Sequence, residues 1–192
     1  MKIEIGSQKP RDGWMILDHK EDGSPFDIMF DRLDQLGIKD GSVEYFYMSH
    51  VIEHIPVPFL VDILKHLRDK LQPNGKLRLV CPDLEATARA YVNKNENYFN
   101  STCVAVKPPY KSLGLGGHLL NTIVSHGSDM YLYDRTCKKQ IIGMGHIAAY
   151  DYEMLSKMLM SAGFFTIENS GFDSSIDTHK QVGQLFVNAF KG

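Results

Sequence analysis

The chain has 192 residues, 43% of them hydrophobic and 23% charged, with a formal net charge of −2. That balance supports a packed core and excludes a disordered chain, and the lack of a Pro/Gly/Ser-rich linker or charge run favours one domain over 1–192. Basic and acidic residues number 21 and 23 with no basic block, so neither a nucleic-acid groove nor binding to an anionic membrane surface is indicated.

Lys2 to Gly6 alternates and stops at glycine, which predicts a first strand. Trp14 to Asp18 is a second apolar run closed by an acid, and Phe26 to Phe30, followed by Asp31, reads as a third. Val43 to Ser49 is rich in β-branched and aromatic residues and is the fourth. From Pro58 the period changes. Phe59, Leu60, Ile63, Leu64, Leu67 and Leu71 recur at three- and four-residue steps and predict an amphipathic helix. Pro73-Asn74-Gly75 predicts a turn, and Lys76 to Cys81 a fifth strand ending at Pro82-Asp83. The stretch from Asn95 to Gly145 is less regular, with a short helix over Leu119 to Val124 and a short strand over Met130 to Tyr133. It reads as an insertion after strand 5 that forms a lid or faces an acceptor, because the surrounding sheet already has its core. Tyr152 to Ala162 is a second clear helix with Gly163 as its C-cap, and Phe164 to Ile167 and Leu185 to Phe190 are late strands.

Strands alternating with helices, most of them apolar on both faces, predict an α/β fold with a mainly parallel twisted sheet covered on both sides. Ligands of such sheets bind outside the carboxyl ends of the strands, where the strand order reverses. The polar residues at those ends are Gly6-Ser7-Gln8, Asp18, Asp31, Ser49-His50 and Asp83. One spacing works against this: seven residues separate Gly6 from Trp14, fewer than a parallel crossover with a full helix needs.

Other classes find less support. Cys81, Cys103 and Cys137 show no CxxC spacing and an odd count, which fits reduced thiols and no structural zinc site. His118 and His126 are too far apart for the four-residue pair of a helical metal site, and no carboxylate–histidine cluster joins them and His146 in sequence, so no metal is expected. The opening residues lack the apolar core of a signal peptide, and no apolar run is long enough to span a membrane. A cytoplasmic protein is the expectation.

Four segments together resemble the class I S-adenosylmethionine-dependent methyltransferases, in particular their small type-11-like branch. They are Lys2–Gly6 through Gly13-Trp14 to Asp18; Ser42 to His54, with its Ser-His-Val-Ile-Glu-His ending; Leu71 to Leu79 through Pro82-Asp83; and Gly145-His146, Tyr150-Asp151 and Ser161 to Phe164. The resemblance implies a Rossmann-like three-layer sandwich, and the short first crossover belongs to the same pattern. S-adenosylmethionine is then the implied cofactor, held by Gly6, Ser7, Gln8, Asp18, Asp31, Arg32, Ser49 and His50. Gly6 would let the backbone approach the ligand, and Asp18 would accept from the ribose hydroxyls, a turn or helix N-cap being its structural alternative. Asp31, with Arg32, would lie near the adenine, or else Asp31 caps the segment Arg32–Leu36. Ser49 and His50 would flank the methionine part.

The run Gly6-Ser7-Gln8 departs from that branch, which places a second glycine there. In-line methyl transfer needs alignment above all, and a base only for a protonated acceptor; His50, of a residue type that titrates close to neutrality, is the candidate. The implied reaction is methyl transfer to a small-molecule or sugar-type acceptor, by a monomer or homodimer. The alternative is a degenerate relative serving as a binding or assembly module. A nicotinamide-dependent oxidoreductase is less well matched, because Gly-x-Gly-x-x-Gly is missing.

Overall fold

The computed structural model describes residues 1–7, 9–17, 31–102, 110–125, 133–134, 139–140, 146–178 and 180–192. The strand expected over 26–30 lies outside them. Two compact units divide the chain: Met1–Cys81 with Tyr152–Gly171 and Leu185–Gly192, and Pro82–Asp151 with Phe172–Gln184. The second begins upstream of the predicted insertion and takes in 172–184 as well.

The first unit is built on six strands, β1 (Lys2–Ile5), β2 (Trp14–Leu17), β3 (Val43–Ser49), β4 (Leu71–Pro82), β7 (Thr166–Ser170) and β8 (Gln184–Phe190), in the order β2-β1-β3-β4-β8-β7. The first four are mutually parallel in register, with Ile5 beside Leu17 and Met48, and Met48 beside Leu79. Asn74 N–H donates to Lys191 O and Lys191 N–H to Gly75 O, so the start of β4 meets the end of β8. Among the described strands of this sheet, β8 therefore runs against the others, and β7, antiparallel to β8, runs with the rest. This is a mixed α/β sheet, mainly parallel as expected.

Side-chain alternation sorts the register into two faces. Ile3, Ile5, Leu17, Phe46, Met48, Leu77 and Leu79 form an apolar row that is wholly buried. Lys2, Glu4, Trp14, Tyr45, Tyr47, Lys76 and Arg78 share the other face, which is polar and aromatic. There Arg78 is 1% exposed and ties three strands together, donating to Ser170 Oγ and Asn188 Oδ1 at 2.9 Å and to Gly171 O at 2.8 Å.

Short helix α1 (Asp31–Gln35) precedes β3, and α2 (Val57–Lys70) joins β3 to β4. α2 starts with Pro58 in its first turn, where a missing N–H costs nothing, and carries Arg68 and Lys70 in its last. Its stripe of Leu60, Ile63, Leu64 and Leu67 is completely buried, as the periodicity required. The predicted turn at Pro73–Gly75 is a bulge inside β4. Between the Val43–Leu71 and Tyr45–Lys76 pairs β3 advances two residues and β4 five, with Asn74 at φ +59°.

In the second unit, α3 (Leu84–Val92) and α4 (Glu96–Ser101) occupy ground the sequence left without elements. Asp83 Oδ1 accepts from Ala86 N–H, and Asn95 Oδ1 from Tyr98 N–H, so each helix has an N-cap. Asp83 thus serves the helix start. α5 (Gly114–Leu120) continues as a π-turn over Asn121–Ser125, covering the predicted short helix, and a two-stranded ribbon pairs β5 (Tyr133–Asp134) with β6 (Lys139–Gln140). The late helix α6 (Tyr152–Ser161) belongs to the first unit and packs against α2. No helix among the described residues is long and apolar enough to cross a membrane.

Candidate functional site

From β1 the sheet grows in opposite directions, to β2 on one side and β3 on the other, so the strand order reverses between β1 and β3. A parallel sheet leaves a crevice at the carboxyl ends of such a pair. Gly6 follows β1, and Ser49 and His50 end β3, one step beyond the Ile5–Met48 pair. The expected strand-end residues Gly6, Ser49 and His50 therefore do come together.

Gly6 has φ +87° and donates to Leu17 O at 2.7 Å, extending the β1–β2 ladder by one residue. A Cβ at this position would run into Val51 Cγ2. The space a side chain would need is thus filled from within the chain. Glycine is required here by backbone conformation and by Val51, a reason the sequence reading, which invoked a ligand, did not contain.

Ser7 Oγ accepts from Lys9 N–H at 3.2 Å, closing a tight turn in the crossover. That crossover is eight residues long between Ile5 and Trp14. A four-residue strand rises only about 13 Å, and eight residues in extended conformation reach roughly 27 Å, so no helix is needed to return to the start of β2. Arg11 holds the loop down instead. Its guanidinium pairs with Glu4 at 3.2 Å and lies 4.4 Å from the Trp14 ring centroid and 5.5 Å from that of Tyr47. Tyr45 and Tyr47 are buried beside Trp14, as sheet-packing aromatics.

His50 leaves β3 with φ +56°, in the left-handed region that among non-glycine residues Asn, Asp and His enter most often, while its N–H still reaches Val80 O at 2.9 Å. The turn brings its ring back over the 3-10 helix Ile52–His54. His50 Nδ1 lies 2.9 Å from Glu53 Oε1, and Glu53 is 1% exposed against 28% for the His50 side chain. A carboxylate accepts when ionised and can donate when protonated, so the direction of this bond follows the tautomer of the ring. Neither Val51 nor Glu53 nor Arg11 figured among the sequence candidates. The His-x-x-Glu spacing was the available signal for Glu53.

Gln8 and Asp18 lie outside the described residues. Asp31 and Arg32 open α1, and their side chains are also outside the described part. In the second unit His118 meets Phe99 edge-to-face at 5.9 Å, and His146 Nδ1 lies 2.9 Å from Thr122 O. His126 is outside the described residues. Cys81 is buried.

No family model matches the sequence. No curated protein matches it either. Among solved structures, the chain is similar to a SAM-dependent methyltransferase from Archaeoglobus fulgidus, with 13% identity over 99% of this chain and 85% of that one, TM-score 0.48. It is similar to a SAM-dependent methyltransferase from Thermotoga maritima, with 14% identity over 100% of this chain and 82% of that one, TM-score 0.46. Human N-acetylserotonin methyltransferase, solved in complex with SAM, is a third, with 10% identity, 99% of this chain covered and TM-score 0.45; the chain spans only 39% of its length. Similarities of this size assign neither a reaction nor a substrate.

Proposed function

We propose that the chain is an S-adenosylmethionine-dependent methyltransferase acting on a small-molecule or sugar-type acceptor. The observation that carries this reading is the juxtaposition of Gly6 with Ser49 and His50 at the β1/β3 switch point, because these are the strand ends that resemble the methyltransferase signatures. The donor chemistry suits such a ligand: Ser7, Ser49 and His50 are half-exposed polar residues at the carboxyl ends of parallel strands. When bound, the cofactor supplies an electrophilic methyl group on a sulfonium. Ser49 and His50 would orient the amino-acid end, and Asp18 would accept from the ribose hydroxyls.

Calorimetric titration of S-adenosylmethionine and S-adenosylhomocysteine into wild type and Asp18→Ala tests the proposal. Saturable heat is expected with wild type, weakened about tenfold or more by Asp18→Ala, since hydrogen bonds to a charged group contribute roughly 1.5–3 kcal/mol. Absence of heat with either compound at millimolar concentration rejects the enzyme. It favours the second reading, a binding or assembly module, to which Ser7-Gln8 in place of the related pattern's glycine-rich turn also points.

A further inference from the structure

We infer that Arg11 is a positioning residue for the cofactor: by anchoring the β1–β2 crossover to the sheet it holds Gly6 and Ser7 in the conformation the ligand meets, and so sets the affinity of the site. The inference rests on the methyl-transfer reading above and names the side chain on which its altered turn depends.

A parallel crossover is ordinarily held against its sheet by the apolar stripe of a helix. This one carries no such stripe. Lys9, Pro10, Asp12 and Gly13 are exposed, a Cβ at Gly13 would meet no neighbour, and between Lys9 and Gly13 Arg11 alone is half-buried. Two turns give the loop its shape: Lys9 N–H donates to Ser7 Oγ at 3.2 Å, and Trp14 N–H to Arg11 O at 3.0 Å, with Gly13 at φ +76°. Neither turn ties the loop to the face of the sheet. The Arg11 side chain does.

It touches each of the three strands whose ends meet at the switch point. Arg11 Nη1 donates to Glu4 Oε2 of β1 at 3.2 Å, and its Cζ lies 4.4 Å from the Trp14 ring centroid in β2 and 5.5 Å from that of Tyr47 in β3. Glu4 and Tyr47 are 6% and 1% exposed, so the anchor points belong to the packed sheet. A planar guanidinium lies on an aromatic ring and donates from its edge at the same time; an ammonium is a point charge and does not reproduce both contacts. A loop held in this way gives up its conformational freedom when the chain folds. Released, it would have to be ordered by the ligand, and the affinity would fall by that cost.

The test compares wild type with Arg11→Lys and with Arg11→Met combined with Glu4→Gln, a double variant that leaves no buried carboxylate opposite an apolar side chain. In calorimetric titration well below Tm, S-adenosylmethionine is expected to bind the double variant about five- to tenfold more weakly, the scale of a partly desolvated cation–π contact, and Arg11→Lys to lose less. Hydrogen exchange without ligand gives the readout that a general loss of stability would not: the Lys9 and Trp14 amides should exchange about tenfold faster in the double variant, while the Phe46 and Met48 amides of β3 keep their wild-type protection. Affinity within about twofold of wild type in the double variant overturns the proposal, and so does wild-type exchange at Lys9 and Trp14. If the double variant fails to fold, Arg11→Lys decides by the same two readouts. Absence of heat with wild type itself rejects the methyl-transfer reading, and the proposal falls with it; heat with wild type and unchanged heat in the variants rejects the proposal alone.

Discussion

A methyl group at position 6 would have to share its space with Val51 Cγ2 while the backbone stays at φ +87°. Two penalties are separable there: about 1–2 kcal/mol for an L side chain in the left-handed region, and about 1–3 kcal/mol for overpacking. Gly6→Ala is therefore expected to lose about 2–5 kcal/mol in urea unfolding. Adding Val51→Ala should recover the overpacking part and leave the backbone part. Strict additivity of the two substitutions would show that Val51 is not what makes glycine necessary. Val51 also explains why the reason for Gly6 was not legible. The position was readable from a strand ending in glycine; the residue that fills its Cβ space lies 45 positions on, and no local pattern announces it.

Three helices end in the same device. In α1, α3 and α6 the chain closes with a six-residue backbone bond, from Ile38 N–H to Leu33 O, from Asn95 N–H to Ala90 O and from Phe164 N–H to Leu159 O. The residue before each donor is left-handed: Gly37 at φ +70°, Gly163 at +89°, but Lys94 at +52°. Lys94→Gly is expected to stabilise the chain by about 1 kcal/mol and to raise Tm by about 2–4 °C in a thermal scan. An unchanged or lower Tm would mean that the Lys94 side chain contributes enough to offset its backbone. The contrast also shows what could be read from the sequence. α2 and α6 announce themselves through leucine and methionine stripes, and Gly163 through its place after the second. α3 buries Thr87 and Ala90, small side chains that give no apolar stripe to read, and is followed at its C-terminal turn by a lysine where a glycine would have flagged the stop. Its readable signal was Asp83 and its N-cap geometry, which competed with a ligand role at the end of β4.

At the scale of the first unit, charge is concentrated at the end opposite the candidate site. Lys70, 6% exposed at the end of α2, meets Asp34 at 2.6 Å and Asp40 at 2.9 Å, just before β3 and β4 begin. Hydrogen bonds from Lys70 hold both aspartates below the usual carboxylate range. Burial alone would push the Lys70 ammonium down, but its hydrogen bonds to Asp34 and Asp40 and their charges raise it above the ordinary lysine value. The signs then differ at the two ends of the pH scale. The aspartates stabilise the fold above the unfolded carboxylate pKa and lose that contribution as pH falls through their lowered folded values. Lys70 stabilises below the unfolded lysine pKa and loses its share as pH rises through the raised one. Tm measured against pH for wild type and Lys70→Met should show the widest gap on the plateau between these limits, narrowing in acid and in alkali. A gap independent of pH would assign Lys70 to packing alone. S-adenosylmethionine heat at neutral pH should be the same in both proteins, since the cluster sits at the amino ends of the strands.

The strand order also sets a timetable. β7 precedes β8 in the chain, yet its only described neighbour in the sheet is β8, which lies between it and β4. While the polypeptide is being synthesised, β2, β1, β3 and β4 can assemble as their residues emerge, but β7 has nothing to pair with until Gln184–Phe190 follows. Until then β4 presents an open edge, its buried Leu77 and Leu79 and the Arg78 guanidinium still waiting for the β8 neighbour. The sheet is closed by its last strand sliding in between two earlier ones, so a ribosome stalled short of residue 184 would carry a half-finished sheet with an adhesive flank.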